Sequence, residues 1–418
     1  MRKLAQTLAG VMAVAVIGSL AVPGAFALGF RNPDQDARAT AQGEAFVAQA
    51  DDASAIYYNP AGLTQLKGTE ITSGGMLTFR DITFKGDSGT RDHVGSPAFT
   101  PHFFMATDFG LEKWRFGLGT TIPYGNSMDW GSGPFSTLVR KSSMAVYNIA
   151  PSVAYKFNEH LSLGVDLNVY HGTTELQFDF SPMLQGSRSK FEGDGDALGA
   201  TVGLMWKIND QHTIGVVYRS PFTIDFHGQA KNKDASIYTT SAGASAKINF
   251  PQQVAAGYAF RPIKRWKLEA DVEWTNWETL NTVRLRSDDP IVTGDPRTTI
   301  AFNWLDSFFY EFGTQYDINK NWAARAGYIY SENSVPTSTF SPNLPDANRH
   351  VFSVGFGYDS KEKAILFSKL GLSVDLVYQY ALSENRTIPA GASLASPYVD
   401  GKWESSSHAV MMTTTLKF

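Results

Sequence analysis

The chain alternates apolar and polar residues over many short segments. In the segment LSLGVDLNVY (161–170), leucine or valine occupies every odd position up to 169, and polar residues or glycine occupy positions 162, 164, 166 and 168. The segments KLEADVEW (267–274) and LSVDLVYQYAL (372–382) have the same period of two, which is the side-chain period of a β-strand. This alternation predicts strands that have one apolar face and one polar face.

About 14 such segments follow one another, and we predict a strand for each. They lie near 69–84, 98–109, 113–125, 143–157, 160–180, 189–207, 211–227, 244–260, 265–286, 299–317, 320–333, 348–358, 367–386 and 403–418. An even number of antiparallel strands suits a closed barrel.

The connections between these segments are alternately long and short. Long connections rich in Gly, Ser, Asp and Pro alternate with tight turns such as GLEK, NEH, NDQ and DINK. Outer-membrane barrels arrange their connections in this way, with the long loops at one end. Many segment ends also carry aromatic residues, which suit a membrane interface: Trp114, Tyr124, Tyr155, Phe157, Trp206, Trp266, Trp277, Trp322, Tyr330 and Tyr380.

These features favour an all-β fold, a 14-stranded antiparallel transmembrane β-barrel. The alternative is a large exported β-sandwich, because alternation alone does not distinguish lipid from a protein core. In a membrane barrel, a charge that faces lipid near the bilayer centre costs about 2 to 4 kcal/mol. We therefore predict that the charged members of the alternating segments face the lumen: Asp166, Glu269, Asp271, Glu273, Arg325 and Asp375.

The N-terminus predicts a secretory signal peptide over 1–27. Arg2 and Lys3 precede an apolar run over 8–22, and Ala25-Phe26-Ala27 provides small residues for cleavage. No later stretch reaches the roughly 20 apolar residues that a membrane helix needs. We therefore expect three parts: the signal peptide 1–27, an N-terminal plug (hatch) over 28–67 that lies inside the lumen, and the barrel over 68–418.

The predicted plug is polar and alanine-rich, and it lacks the alternation of the later segments. It carries more apolar residues than a solvated tail usually does: Phe30, Phe46, Val47, Ile56, Tyr57, Tyr58 and Leu63. Within it, Asn59, Pro60 and Ala61 predict a stiff elbow, because proline fixes the backbone and an asparagine side chain binds nearby main chain. A 14-stranded barrel would otherwise enclose an aqueous channel.

Charge and motifs exclude several classes of function. Loss of Arg2 and Lys3 changes the formal net charge from −4 to −6, spread along the chain, so we expect no nucleic-acid partner. The eight histidines are scattered, and neither G-x-S-x-G nor H-E-x-x-H occurs, so we expect no enzyme, no cofactor and no metal. An outer-membrane esterase and a general diffusion porin are the alternatives from other classes.

Three blocks of the sequence resemble the FadL-type family of outer-membrane long-chain fatty acid transporters, which includes aromatic-hydrocarbon channels. They are GEAFVAQADDASAIYYNPAGL, NIAPSVAYKFNEHLSLGVDLNVY and YEFGTQYDINKNWAARAGYIYSENSVPTSTFSPNLPDANRHVFSVGFGYD. The resemblance implies a hatch-blocked barrel in the outer membrane of a Gram-negative bacterium. It also implies passive uptake of fatty acids, or alternatively aromatic hydrocarbons, through an apolar pocket against the hatch and a lateral gap at a kinked third strand.

The third segment, KWRFGLGTTIPYGN, contains the residues that would form such a gap: Gly117, Gly119, Pro123 and Gly125. Proline cannot donate to a strand ladder, and glycines weaken a strand or mark bulges. Alternatively, Pro123 merely ends the strand and the glycines make room for the plug. The third external loop, near 181–190, is too short to hold the outer capture groove that the resemblance leads us to expect.

Substrate binding has three candidate residues. Arg219 and Arg325 fall on inward-facing positions and could bind a carboxylate, or they could pair with luminal acids. Phe30 lies near the mature N-terminus and could line the pocket. The expected partners are a hydrophobic small molecule, the lipid bilayer and the outer-membrane assembly machinery, which would recognise the C-terminal Phe418; we expect a monomer.

Overall fold

The structure is a computed structural model of the 418-residue chain, and it describes residues 29–87, 89–131, 133–179, 188–233, 241–288, 297–360, 363–365 and 368–418. The predicted signal peptide, 1–27, lies outside the described residues. So does the part of the predicted third external loop that precedes Arg188.

The described residues form 21 β-strands and a few short helical turns. The strands are β1 (Thr69–Gly86), β2 (Gly89–Asp92), β3 (Ala98–Thr107), β4 (Trp114–Asp129), β5 (Lys141–Lys156), β6 (Leu161–Asp179), β7 (Arg188–Lys207), β8 (His212–Arg219), β9 (Phe222–Lys233), β10 (Ser241–Phe250), β11 (Gln253–Ile263), β12 (Trp266–Thr275), β13 (Thr282–Ser287), β14 (Arg297–Ala301), β15 (Ser307–Asp317), β16 (Trp322–Ser331), β17 (Arg349–Asp359), β18 (Lys363–Ile365), β19 (Ser368–Ser383), β20 (Arg386–Ile388) and β21 (Gly401–Lys417). The α-helical turns are Ala37–Thr40 and Ala55–Tyr58, and the 3₁₀ turns are Pro60–Gln65, Trp277–Thr279 and Thr337–Thr339.

These strands build a closed antiparallel barrel of 14 strands, as predicted. Barrel strands seven to ten each consist of two consecutive elements, namely β8 with β9, β10 with β11, β12 with β13, and β14 with β15. The barrel closes where β1 pairs with β21 along its full length. Because every neighbouring pair is antiparallel, the long and short connections fall at opposite ends.

The two faces of the strands differ as a membrane barrel requires. All six charged residues that we predicted to face the lumen are buried, and none is more than 8% exposed. On the opposite face, Leu167, Val272 and Leu376 are 40 to 50% exposed. Apolar side chains therefore cover the outer surface, where lipid would contact them, and the charges lie inside.

Two of the aromatic residues predicted at the membrane interface are instead buried in the lumen. Trp114, Trp206 and Trp322 are exposed on the outer surface, as expected for an aromatic belt. Trp277 is fully buried because the 3₁₀ turn between β12 and β13 directs it inward, and Tyr124 is buried beside an irregularity in β4. The interface prediction was wrong for these two residues.

Residues 29–66, which we call the plug segment, fill the lumen ahead of β1. Nearly all of this segment is buried, and its polar groups bond to inward-facing side chains of the strands. Its apolar side chains form a core with the inner face of the wall, including Phe46, Ile56 and Leu63. In the part of the chain that the structure describes, no helix is both long and apolar enough to span a bilayer.

Candidate substrate pocket and wall opening

An aromatic cluster occupies the lumen on the loop side of the plug segment. Its rings come from several strands and connections and pack in one core with Phe30; they are Tyr124, Tyr170, Phe222, Phe250, Trp277 and Trp304. Phe30 contacts Trp277, Trp304 and Phe250 with ring centroids 5.0, 5.2 and 5.5 Å apart. The first residues of the plug segment therefore supply the central ring of this cluster.

The barrel wall has a break between the second and third barrel strands. β3 pairs with β4 only over residues 103–107, opposite residues 116–120. Beyond Thr120, β4 continues to Asp129 and still pairs with β5, but the register shifts between Thr121 and Tyr124. Thr121–Asp129 therefore has no partner on its β3 side among the described strands.

The plug segment binds β4 at this break. The N–H of Asn32 donates to the carbonyl of Pro123 at 2.8 Å, and the N–H of Gly125 donates to the carbonyl of Phe30 at 2.7 Å. Arg31 and Tyr124 face each other as an isolated antiparallel bridge. These residues act as a short strand that satisfies the β4 backbone where the wall does not.

The four residues predicted for a lateral gap separate into two pairs. Pro123 and Gly125 lie at the break, and Pro123 does not end the strand. Gly117 and Gly119 lie in the part of β4 that pairs with β3, where a Cβ on either would be under 3 Å from Ile56. These two glycines make room for the plug segment, which is the alternative that the sequence left open.

A cavity lies between the aromatic cluster, the break and the plug segment. Its polar lining includes Arg31, Asn148, Asn168, Thr201, Arg219 and Gln253, and its apolar lining includes Ile56, Phe104, Pro123, Tyr124 and Tyr170. The cavity thus connects the cluster with the irregular part of β4.

The two candidate arginines have different surroundings. Arg219 lines the cavity, donates to the carbonyl of Tyr57 at 2.7 Å and lies 3.4 Å from Glu273. Arg325 lies outside the lining of the cavity, and its guanidinium contacts Asp375 at 2.6 Å. The structure therefore brings Arg219 and Phe30 to the same region and leaves Arg325 apart from it.

Four alternating residues of β12 hold the plug segment. We call them the β12 ladder: Lys267, Glu269, Asp271 and Glu273. The Asp271 carboxylate accepts two N–H bonds, from residues 46 and 47, both at 2.9 Å. The Glu269 carboxylate accepts N–H bonds from residues 48 and 49, at 2.6 and 3.2 Å. Buried carboxylates thereby fix the plug backbone directly.

The outer members of the ladder bind charged side chains. Lys267 contacts Asp51 at 2.7 Å, and Glu273 forms a buried ion pair with Arg31. Burial favours the neutral form of Asp51, but the charges of Arg38 and Lys267 outweigh this effect and hold the pKa of its carboxyl below the ordinary value. The ladder thus reaches from the middle of the plug segment to its first residues.

The predicted elbow is a buried turn. The Asn59 amide donates to the carbonyls of Val47 and Leu204 at 2.7 and 3.2 Å, and its side-chain oxygen accepts from the N–H of Ala61 at 3.1 Å. Pro60 is the first residue of the 3₁₀ turn Pro60–Gln65, where a missing N–H costs nothing. Asn59 therefore joins two parts of the plug segment to the wall.

The connections at the loop end of the barrel close over the lumen. Their apolar core, which we call the cap, consists of Ile82, Phe84, Met128, Trp130, Phe135, Val139, Phe340, Ile388, Val399 and Trp403. Arg386 donates to the carbonyls of Val335 and Asp346, both at 2.7 Å, and its guanidinium lies over the Phe340 ring. The Asp346 carboxylate also accepts from the N–H groups of Gly29 and Ser334, so Asp346 and Arg386 link the cap to the start of the plug segment.

Comparison with known proteins identifies the family. The family model for the outer membrane protein transport protein (OMPP1/FadL/TodX) matches residues 14–418. The chain belongs to this family. Its members in Gram-negative bacteria are outer-membrane transporters of hydrophobic compounds.

Individual relatives are similar to this chain over most of their length. The FadL-type chain is 21% identical to a long-chain fatty acid transport protein of Escherichia coli, over 85% of this chain and 87% of that protein. A Pseudomonas aeruginosa FadL homologue has the same fold, with a TM-score of 0.81, 18% identity, and coverage of 93% of this chain and 100% of that one. The P. putida toluene transporter TodX gives a TM-score of 0.71 at 17% identity, over 94% and 99%.

Sequence reasoning missed the glycines of the FadL-type wall that face the plug segment. A Cβ at Gly203 would lie 2.1 Å from the Asn59 side-chain oxygen, and one at Gly164 would lie 2.2 Å from the Pro60 backbone. A Cβ at Gly215 would lie 2.2 Å from the carbonyl of Val47. The available signal was glycine at inward positions of otherwise regular alternation, as in LSLGVDL.

Proposed function

We propose that this chain is an outer-membrane channel for passive uptake of long-chain fatty acids or similar hydrophobic molecules, which leave sideways through the wall. The observation that carries the proposal is the position of residues 30–32. They fill the aromatic cluster with one side chain and bind the unpaired edge of β4 with their backbone. Displacement of this short strand would open a pocket and a wall gap together.

The physical reason for such a route is the free-energy cost of exposing apolar groups to water. Each CH₂ group returned from an apolar site to water costs roughly 0.8 kcal/mol, so a water-filled pore offers an alkyl chain little advantage. A pocket that empties into hydrocarbon avoids this cost. The break between β3 and β4 lies in the lipid-facing wall and next to the cavity, which supports this exit.

A fatty acid also needs a partner for its carboxylate. Arg219 lines the cavity that joins the aromatic cluster to the break, and Arg31 lies on the same lining. Both share Glu273, so the three groups carry one excess positive charge. We propose that Arg219 receives the carboxylate once the first residues of the plug segment have moved.

Aromatic-hydrocarbon uptake is the second candidate, and the composition of the cluster favours it. Phe30 makes edge-to-face contacts with Phe250 and Trp277, which is a preferred geometry of aromatic pairs. A substrate ring could take the place of the Phe30 ring without rearranging its neighbours. A general diffusion porin is disfavoured, because the plug segment and the cap fill the bore.

The test is a reversible cross-link between the plug segment and β4. Arg31 and Tyr124 face each other between two flanking hydrogen bonds, and such pairs have Cα atoms about 4.5 Å apart, within disulfide range. The natural chain has no cysteine, so the double variant Arg31→Cys/Tyr124→Cys introduces the only possible bridge. We expect oxidation to reduce uptake of labelled oleate and toluene at least about tenfold, and a reductant to restore it.

The matched control is Arg31→Ser/Tyr124→Ser, which removes the same side chains and cannot form the bridge. Its uptake should not respond to oxidant. Equal uptake by the oxidised and reduced cysteine variant would refute the role of the N-terminal strand in the exit.

A further inference from the structure

The outer face of β9, β10 and β13 carries exposed cations beyond the lipid-facing surface. Val283 and Leu285 of β13 pack inward against the aromatic cluster. Because side chains alternate along a strand, Arg284 and Arg286 face outward. Lys247 of β10 faces outward for the same reason, because Ala246 beside it is in the luminal core. All three cations are exposed.

The strand register places these cations side by side. Lys247 is directly opposite Arg284, and Arg286 is directly opposite the backbone position of Arg297 on β14. Like charges that face each other across strands are destabilising unless other charges compensate them. We call Lys247, Arg284 and Arg286 the basic face.

Two described carboxylates, Asp225 and Asp288, lie near the basic face. Asp225 is opposite Lys247 in the register, but its carboxylate lies 3.6 Å from the His227 ring. Asp288 follows Arg286 by two positions. Between residues that the structure describes, no ion pair includes any of the three cations.

Some outward cations elsewhere at the same end are paired. Lys85 and Lys402, on β1 and β21, both contact Glu404, each at 2.6 Å. Lys190 on β7 contacts Glu175 and Glu192. The basic face differs from these cations in that no described carboxylate forms an ion pair with it.

The basic face lies on the extracellular side of the membrane boundary. A row of outward side chains below it, Tyr218, Val254, Trp274 and Phe308, is in direct register across four barrel strands. The Tyr218 hydroxyl donates to Gln252 and the Trp274 ring N–H donates to Asp306, so the aromatic row ends in polar groups. Amphipathic rings of this kind mark the interface between hydrocarbon and headgroups.

We propose that the basic face binds the phosphate-bearing saccharide headgroup of the outer-leaflet glycolipid. Phosphate is the anionic group that this headgroup presents above the membrane interface, and guanidinium groups bind phosphate with paired N–H donors. Ser245, opposite Arg286, and Asn249 on the same outer face supply hydrogen-bonding groups for sugar hydroxyls. The glycolipid thus supplies a counter-charge and fixes the height of the barrel in the leaflet.

The test compares two sets of substitutions in the full-length chain. The variant Lys247→Gln/Arg284→Gln/Arg286→Gln removes the basic face, and the control Lys85→Gln/Lys402→Gln removes outward cations that are already paired. Purified protein in nanodiscs is titrated with short-core lipopolysaccharide, either native or enzymatically dephosphorylated, and the bound fraction is measured by native mass spectrometry.

We expect the wild-type chain to bind the native glycolipid at least about tenfold more tightly than the dephosphorylated one, and the triple variant to lose this preference. The control should bind within about twofold of wild type. Equal affinity of the wild type and the triple variant would overturn the proposal. So would equally tight binding of the dephosphorylated glycolipid by the wild-type chain. Unchanged oleate uptake by the triple variant would confirm that it folds, and it keeps this test separate from that of transport.

Discussion

At the scale of single residues, the neighbours Phe30 and Arg31 make contacts of two different kinds. The backbone is extended here, so their side chains point in opposite directions. Phe30 enters the aromatic cluster, whereas Arg31 reaches Glu273 of the β12 ladder. Movement of this short strand would therefore break the ring contacts of Phe30 and the ion pair of Arg31 at the same time.

The proposed carboxylate partner can be tested by one substitution. Arg219→Gln keeps a hydrogen-bond donor beside Tyr57 but removes the charge, so we expect oleate affinity to fall about 10- to 100-fold, as for a lost charged hydrogen bond. Affinity for toluene should change less than about twofold, because toluene has no charge to lose. Both affinities are measured by calorimetry with purified protein.

Arg325→Gln is the matched control. It also removes a luminal guanidinium, but one that contacts Asp375 away from the cavity. Oleate affinity that survives Arg219→Gln would contradict the assignment. A loss in Arg325→Gln alone would place the headgroup near β16 instead.

At the scale of elements, the sequence predicted most strands but only part of the pocket, for one physical reason. Lipid requires apolar side chains on the outer face, so β6 and β12 show a period of two that can be recognised without a structure. In β9 and β10 the apolar side chains Phe222, Ile224 and Phe250 face inward. The face changes near Pro221 and Pro251, between consecutive elements, and alternation alone does not reveal which side is apolar.

The placement of the plug segment was predictable only in part. Its apolar residues and the Asn59-Pro60 turn indicated a compact insert, and the inward direction of Glu269 and Asp271 followed from the cost of charge in lipid. Their bonds to the N–H groups of residues 46–49 did not follow, because the sequence carries no information on which backbone groups a distant strand meets.

The fit between wall glycines and the plug segment leads to a prediction for β7. Gly203→Ala puts a methyl group about where the Asn59 side-chain oxygen lies, so the elbow must shift. We expect faster hydrogen exchange over residues 57–66 and a rise in single-channel conductance, measured in planar bilayers.

Gly199→Ala is the control on the same strand. Its Cβ would meet only the side chains of Tyr170 and Ser220, at 3.0 and 3.2 Å, and these can adjust. Conductance and exchange should stay close to wild type in this variant. The same response in both variants would mean that glycine loss in β7, and not contact with the elbow, causes the effect.

At the scale of the whole molecule, three layers close the bore: the cap, the aromatic cluster and the plug segment. Asp346 joins the first layer to the last, because it accepts N–H bonds from Ser334 and Gly29. Opening of the cap and release of the N-terminal residues would therefore both break hydrogen bonds to this one carboxylate.

The pH dependence of this contact follows from burial. Burial raises the pKa of Asp346 to about 6, above its ordinary value. The folded cap then holds this proton more tightly than the opened one, so the contribution to stability is fully present below about pH 4 and is lost as the pH rises through about 6. We expect the free energy of cap opening to fall by up to about 3 kcal/mol over this range.

Hydrogen exchange at Ser334 and Ala347, corrected for intrinsic rates between pH 4 and 8, measures the effect. In Asp346→Asn the dependence should flatten, because the amide does not titrate. A variant that keeps the full pH dependence would assign it to another group.

The close approach of Gly203 and Gly164 to the Asn59-Pro60 turn has a consequence for how relatives diverge. A larger residue at either glycine would clash with the turn. Conversely, the turn cannot pack against the wall once a side chain fills that space. The two sites should therefore change together over evolutionary time. Homologues that have lost the asparagine–proline pair are expected to carry side chains at the two corresponding wall positions, and those that retain the pair should keep both glycines.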